Sequence, residues 1–328
     1  MNHWPLNFCF LLLLFPAVVQ AQWHAERASI MGTEIRVELW SESEAHAQQA
    51  IAAVFEDMRA IDNLMSPYKP KSELSQINQS GTAGRVVDRD LFGLIQKAQD
   101  YSDLTQGAFD ITFAAAGKHY DYRKAISPDN NTLSKSVQKI NFRDLELEPE
   151  RSFVRFKKPD MSIDLGGIAK GYAVDRSVAL LQARGIEHGV VTAGGDSRLI
   201  GDRRGRPWMM GVRHPRQSDA FIAALPLADM SISTSGDYER YFIDEKSGKR
   251  VHHIINPKTG LSASRVRSAT IIGATALETD ALSTAVFILG VKKGLILLNK
   301  LPNIDGVIVH SSGTLHYSKG LEPPDSKE

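Results

Sequence analysis

The stretch that most constrains this chain is Ile163–Asp175, IDLGGIAKGYAVD. A short apolar run (Met161, Ile163) ends on a carboxylate, Asp164; Gly166 and Gly167 follow, and a helical pattern begins with Lys170 in its first turn. A strand that turns through glycines into a helix leaves backbone N–H groups free beside the positive end of the helix dipole. That geometry suits a phosphate or another anion. It also serves as an ordinary strand–turn–helix, and it matches neither GxGxxG nor GxxxxGK[ST]. The local pattern leaves both readings open.

The N-terminus carries a different signal. Met1–Asn7 is short and polar, Phe8–Val19 is almost wholly apolar, and Val19-Gln20-Ala21 offers small residues for a signal peptidase. Residues 1–21 therefore read as a secretory signal peptide, with an uncleaved anchor as the alternative, although the leading segment has only the α-amino group and His3 for charge. The expectation is an exported, periplasmic protein whose mature chain, 22–328, has no stable membrane span. The single cysteine, Cys9, lies inside the apolar run, far from the cut, and is misplaced for a lipoprotein anchor. A mature chain without cysteine has no disulfide and no thiolate, so any metal must be held by oxygen or imidazole. A formal net charge of +1 and no basic run interleaved with aromatics give no case for nucleic acid.

Periodicity predicts a strand over Ile30–Trp40 and a helix to about Met65 behind a capping box at Ser41-x-x-Glu44. Ser66–Gly84 reads as turns, and Asp88 as the cap of a helix to about Tyr101. Lys118–Lys139 reads as a polar segment, and Phe153–Phe156 with Met161–Asp164 as a hairpin. Strands are expected at Gly189–Ala193, Ser197–Ile200, Trp208–Val212 and Phe221–Leu227. Strand runs mixed with a few long helices indicate an α+β protein.

A second informative stretch is Ala274–Gly290, ATALETDALSTAVFILG. Thr275-x-x-Glu278 marks a helix start, after which Leu277, Asp280, Thr284 and Phe287 share one face. Asp280 is a carboxylate on an otherwise apolar stripe and needs a partner, since burying it unpaired costs several kcal/mol. An arginine from elsewhere would serve. So would a hard cation such as Mg²⁺, held by Asp280 and the Thr284 hydroxyl one turn apart. A third stretch, Val251–Gly260, places His252 and His253 on opposite sides of a strand, so that one can face a site. No GxSxG elbow is present, and Ser235 stands in no nucleophile motif.

Together these stretches resemble the ApbE-type FAD:protein FMN transferases. The motifs run in the family's order: MGT at Met31–Thr33, SELSQIN at Ser72–Asn78, GAFDIT at Gly107–Thr112, IDLGGIAKGYAVD, GGDSRLIG at Gly194–Gly201, and PW…GVRHP at Pro207–Pro215. TSGDYERYF at Thr234–Phe242, HHIINPKTG at His252–Gly260 and TDALSTAVFILG at Thr279–Gly290 complete the set. The resemblance implies a single, two-lobed α+β globule, related to the T-fold, with a central flavin and Mg²⁺ cleft. It implies transfer of FMN from FAD to a threonine or serine hydroxyl of a target flavoprotein, such as a membrane redox-complex subunit, with release of AMP. It would place Met31, Tyr68, Ala108, Phe109, Asp110, Asp164, Lys170 and Ile254 around FAD. It would assign the metal to the Gly167 carbonyl, Asp280 and Thr284, with Ser283 nearby. Where many relatives carry Asp in the H-x-I-D-P motif, this chain has Asn256. His253 is the expected general base for the acceptor hydroxyl and His252 the second choice. Two other readings stand beside transfer: a Mg²⁺-dependent FAD pyrophosphatase, and a non-enzymatic FAD carrier. The FAD and Mg²⁺ site so described requires Gly167 to lie close to the Asp280 helix.

Overall fold

A computed structural model describes residues 22–217 and 220–322. The expected leader, 1–21, lies outside the described residues. The chain runs β1 (Gln22–Ile30), β2 (Thr33–Ser41), α1 (Glu44–Met65), α2 (Glu73–Ser80), β3 (Arg85–Val86), α3 (Arg89–Leu104), α4 (Ala114–Gly117) and α5 (Asn130–Val137). It continues through β4 (Leu145–Glu148), β5 (Phe153–Phe156), α6 (Ala169–Gln182), β6 (Gly189–Ala193), β7 (Asp196–Ile200), β8 (Trp208–Arg213), β9 (Phe221–Leu227) and β10 (Ser231–Gly236). The last elements are β11 (Tyr241–Ile243), β12 (Arg250–His252), β13 (Val266–Gly273), α7 (Ala276–Leu298), β14 (Asp305–His310) and β15 (Leu315–Tyr317).

One sheet organises the molecule. Its order is β1-β2-β6-β7-β10-β13-β14-β15, and every neighbouring pair is antiparallel. Alternation sorts its side chains between two faces. Ile35, Val37, Leu39, Val191, Ala193 and Ile200 point into a core shared with α1, α6 and α7. Val190 and Leu199 point the other way, onto Trp208 of the β8–β9 ribbon. The main core continues into α3 and β5 through Leu91, Val154 and Phe156, so the whole is a single α+β globule.

The helix α7 lies on β10 and β13 and beside α6. Among the described residues it is the helix long and apolar enough to cross a membrane, with mean hydropathy 1.8, yet it is packed inside the core. Its N-cap is Thr275, as the capping box requires. Gly290, at φ 77°, interrupts it.

Three local expectations are corrected. The cap of α1 is Ser43, whose hydroxyl accepts from the His46 amide, and Ser41 instead braces Ser43. The turn-rich Ser66–Gly84 and polar Lys118–Lys139 segments each contain a two-turn helix, capped by Ser72 and Asp129. These helices bury few apolar side chains, so their caps are a stronger signal than their periodicity. Finally, Met161–Asp164 forms no hairpin with β5. The Asn78 side chain accepts from the Ile163 amide at 2.8 Å and donates to its carbonyl at 3.0 Å, taking the place of a neighbouring strand.

Candidate active site

The glycine turn of Ile163–Asp175 delivers α6 against the N-terminal half of α7, and three residues one turn apart make the junction. Gly167 packs against the third turn of α7: a Cβ there would lie 3.3 Å from Thr284 Oγ1 and 3.2 Å from the Phe109 ring. Gly171 brings the helices closer, since its Cβ would fall 2.6 Å from the Ala276 carbonyl carbon. Asp175 then caps α7 from outside, accepting the Ala276 and Leu277 amides at 2.9 Å each while paired with Arg198 at 2.7 Å. The requirement that Gly167 lie near the Asp280 helix is met.

Asp280 finds its partner in α6. Lys170 Nζ lies 3.2 Å from both carboxylate oxygens, and the Gly171 amide donates to Oδ2 at 3.0 Å. Of the two partners the sequence left open, the one supplied by the chain is a lysine rather than an arginine. That lysine is shared, because Asp196, at the start of β7, places Oδ2 2.8 Å from the same Nζ. Asp196 and Asp280 are each 2% exposed. Burial alone would lower the Lys170 pKa, but the two carboxylates outweigh it and hold the ammonium above the ordinary lysine range. Burial, then repulsion from Asp196, pushes Asp280 up against the pull of Lys170. Two buried carboxylates on one ammonium leave a net negative charge, and Asp196 Oδ2 makes only an ion contact without hydrogen-bond geometry. Such a site fits an added cation.

The donor set fits a hard one. Among the described residues no cluster of three His, Cys, Asp or Glu side chains exists, so a cation here would take mixed oxygen ligands: a carboxylate, a hydroxyl and a backbone carbonyl. The Ser283 hydroxyl donates to the Asp280 carbonyl at 2.9 Å and meets Ser235 Oγ at 2.8 Å, whereas among the described residues Thr284 Oγ1 has only Ser235 at 3.3 Å. Of the two hydroxyls, Thr284 is the freer.

The other expected residues divide into those at the cleft and those in its walls. Asp164 accepts the Gly166 amide at 2.7 Å and so shapes the glycine turn; burial raises its pKa. Met31 and Gly32, both at positive φ (55° and 71°), form the tight β1–β2 turn. Tyr68 is 76% exposed and its hydroxyl accepts from Arg240 at 3.3 Å. Ala108, Phe109, Asp110 and Ile254 are buried. Phe109 backs Gly167, while Asp110 is occupied by the fold, accepting from Thr112 through Oδ1 and from the Phe142 amide through Oδ2.

The two histidines separate cleanly. His252 is 3% exposed, with Nε2 donating to the Ala263 carbonyl at 2.6 Å, Nδ1 accepting from the Ile254 amide at 3.3 Å, and its ring edge-on to Phe287. Both nitrogens are used, so the second-choice base is a structural residue. His253 is half-buried and its Nδ1 faces the Arg240 carbonyl at 3.4 Å. A carbonyl only accepts, so Nδ1 carries the proton and Nε2 keeps its lone pair. Burial, then the Arg240 guanidinium, push this imidazole down to about 3.

A shallow cavity of 340 Å³ opens beside Tyr68, lined also by Pro67, Pro70, Ser75, Asn78 and Gln79. A larger one, 460 Å³, lies at the far end of β7 among Arg203, Arg206 and Trp208 and touches none of these groups. The chemistry is at the first end.

Comparison with known proteins identifies the family. A family model described as the ApbE family matches residues 31–308. The chain belongs to the ApbE family. It is 32% identical to an FAD:protein FMN transferase of Treponema pallidum over 316 residues, covering 89% of this chain and 86% of that one. It is 31% identical to one of Klebsiella pneumoniae, covering 86% and 87%. The ApbE protein of Thermotoga maritima superposes with a TM-score of 0.84 at 33% identity, covering 91% of this chain and 98% of that one. The flavin transferase ApbE of Vibrio cholerae superposes with a TM-score of 0.81 at 25% identity.

Two site residues of this ApbE-family chain escape a reading by spacing. Asp196 sits in the quoted GGDSRLIG motif, but its role depends on a lysine 26 positions earlier, a distance only the sheet closes. Arg240 sits in TSGDYERYF with no local pattern to single it out.

Proposed function

We propose that the chain is an FAD:protein FMN transferase, attaching FMN from FAD to a threonine or serine hydroxyl of an exported flavoprotein and releasing AMP. The observation that carries this reading is the junction of Gly167, Lys170, Asp280 and Thr284 at one cleft with a histidine whose Nε2 is free. The family membership and the relatives' names support it.

Phosphoryl transfer depends mostly on positioning and charge neutralisation. Asp280, Thr284 and the Gly167 carbonyl would hold Mg²⁺, which when bound neutralises phosphate charge. Lys170 keeps Asp280 in place from the other side. His253 Nε2 takes the proton as the acceptor oxygen bonds to the FMN-side phosphorus, and the bond from that phosphorus to the bridging oxygen breaks, so AMP leaves with that oxygen. A low-pKa imidazole is neutral near pH 7 and so ready to accept; phosphates bound beside it raise its basicity.

The direct test incubates the protein with FAD, Mg²⁺ and a candidate acceptor domain and looks for flavin fluorescence on a denaturing gel. A fluorescent band that vanishes in Asp280→Ala is expected. Free FMN without a labelled band means hydrolysis, and intact FAD throughout leaves only a carrier. Export and a cleaved leader at 1–21 belong to the same reading, tested by N-terminal sequencing of the mature protein.

A further inference from the structure

We propose that Arg240 is the cation that grips the pyrophosphate of FAD, while its own backbone carbonyl fixes the tautomer of His253. This deepens the FAD reading above and rests on it.

Charge accounting leads there. Lys170 looks like the phosphate-binding cation of this cleft, yet its ammonium is already shared between Asp196 at 2.8 Å and Asp280 at 3.2 Å. With both carboxylates ionised, the ammonium is already neutralised by its own partners and has no charge to spare for a pyrophosphate. Arg240 differs. Among the described residues it has no carboxylate within ion-pair distance, and its side-chain partner is the neutral Tyr68 hydroxyl, which accepts from Nη1 at 3.3 Å. A guanidinium has five N–H donors in a planar fork matched to phosphate oxygens, so one bond to Tyr68 leaves most of it available.

Its surroundings are those of the cleft and not of a random surface. Arg240 follows β10 and enters β11, within reach of the β1–β2 turn: a Cβ on Gly32 would lie 3.8 Å from Nη2. Gly32 itself has φ +71° and takes the tight turn, so the guanidinium lies at van der Waals distance from this end of the cleft. On its backbone side, the Arg240 carbonyl accepts from the His253 amide at 3.1 Å and faces His253 Nδ1 at 3.4 Å. One residue thus joins the anion site to the base. Binding phosphate through the side chain and orienting His253 through the carbonyl are separable, because substitution removes only the first.

The test compares wild-type, Arg240→Gln and Arg240→Lys full chains by flavin fluorescence titration with FAD and with riboflavin, which keeps the ring system and lacks phosphate. Arg240→Gln should weaken FAD about 10- to 100-fold, the range of a hydrogen bond to a charged group, and leave riboflavin unchanged. Arg240→Lys should recover part of the loss. Raising KCl should weaken FAD binding more steeply in wild type than in Arg240→Gln. The side chain is exposed, so the thermal midpoint should stay put and separate this effect from misfolding. The proposal is overturned if Arg240→Gln binds FAD as wild type does, or if it loses FAD and riboflavin equally. A wild-type protein that binds no FAD would instead overturn the FAD reading itself.

Discussion

Replacing Gly171 with alanine tests whether the approach of α6 to α7 builds the site. A Cβ at 171 would lie 2.6 Å from the Ala276 carbonyl carbon and 2.8 Å from the Leu277 Cα, whereas carbons pack at about 3.5–4.0 Å. These are backbone atoms in the first turn of α7, so no side chain can rotate away. The helices must part by roughly 1 Å, or α6 must bend. Parting them stretches the Gly171 bond to Asp280 (3.0 Å) and both Asp175 caps on α7 (2.9 Å). Overpacking costs about 1–3 kcal/mol and a weakened cap about 1 kcal/mol. Alanine's better helix propensity returns under about 1 kcal/mol. The net loss of about 2–3 kcal/mol should lower Tm by about 3–5 °C in a chain of this size. Because Lys170 and Asp280 lose register, FMN transfer should fall at least about tenfold. Thermal unfolding and the gel fluorescence assay read both effects. Gly166→Ala is the comparison, since its Cβ would meet only the Asp164 carboxylate, at 3.1 Å. A Gly171→Ala protein with wild-type Tm and full transfer would refute the claim that this glycine is required for helix contact.

Other substitutions separate the remaining roles. Asp280→Asn should abolish transfer or raise the Mg²⁺ needed for half-maximal rate at least about tenfold; an unchanged Mg²⁺ titration would remove Asp280 from the metal site. Asp175→Ala, which strips two amides of their acceptor and Arg198 of its partner, should cost about 1–2 kcal/mol by denaturant unfolding. No loss there would mean water replaces the cap. His253→Asn should reduce transfer about 10²- to 10⁴-fold with FAD affinity retained; near-wild-type transfer would end its candidacy as base. The same variant reports on pH. His253 titrates at about 3 when folded and near 6.5 when unfolded, so its protonation favours the unfolded chain. Its contribution is fully present above about pH 6.5 and is lost as pH falls toward 3. Melting curves of His253→Asn should therefore decline less steeply than wild type across that window; equal slopes would contradict a neutral, half-buried imidazole.

Features written in short-range pattern were legible. Thr275 caps α7 where the capping box stands, and the 3–4–3 spacing does put Asp280 and Thr284 on the face that meets α6. Four β-strands fall within a residue of their expected bounds, because alternation and flanking glycines are local properties. Where the partner is remote, pattern failed. Nothing near Ile163 shows that its backbone is satisfied by Asn78, 85 positions away. The helices α2 and α5 were hidden because they bury little, leaving capping as their main signal.

The sequence by itself determined the α+β class, the ordered motifs that place the chain among flavin transferases, and the need of Asp280 for a partner. Tertiary structure decided who that partner is. The sheet brings Asp196 beside Lys170, so the lysine that the family resemblance places around FAD is already engaged by two carboxylates. It also tells the adjacent histidines apart, burying His252 with both nitrogens bonded and leaving His253 Nε2 free. In Ile163–Asp175 itself, the glycine turn and helix are local, but what Gly167, Gly171 and Asp175 do depends on α7, more than a hundred residues later. Charge and hydrogen-bond balance belong to neighbours in space, and only the fold selects those neighbours.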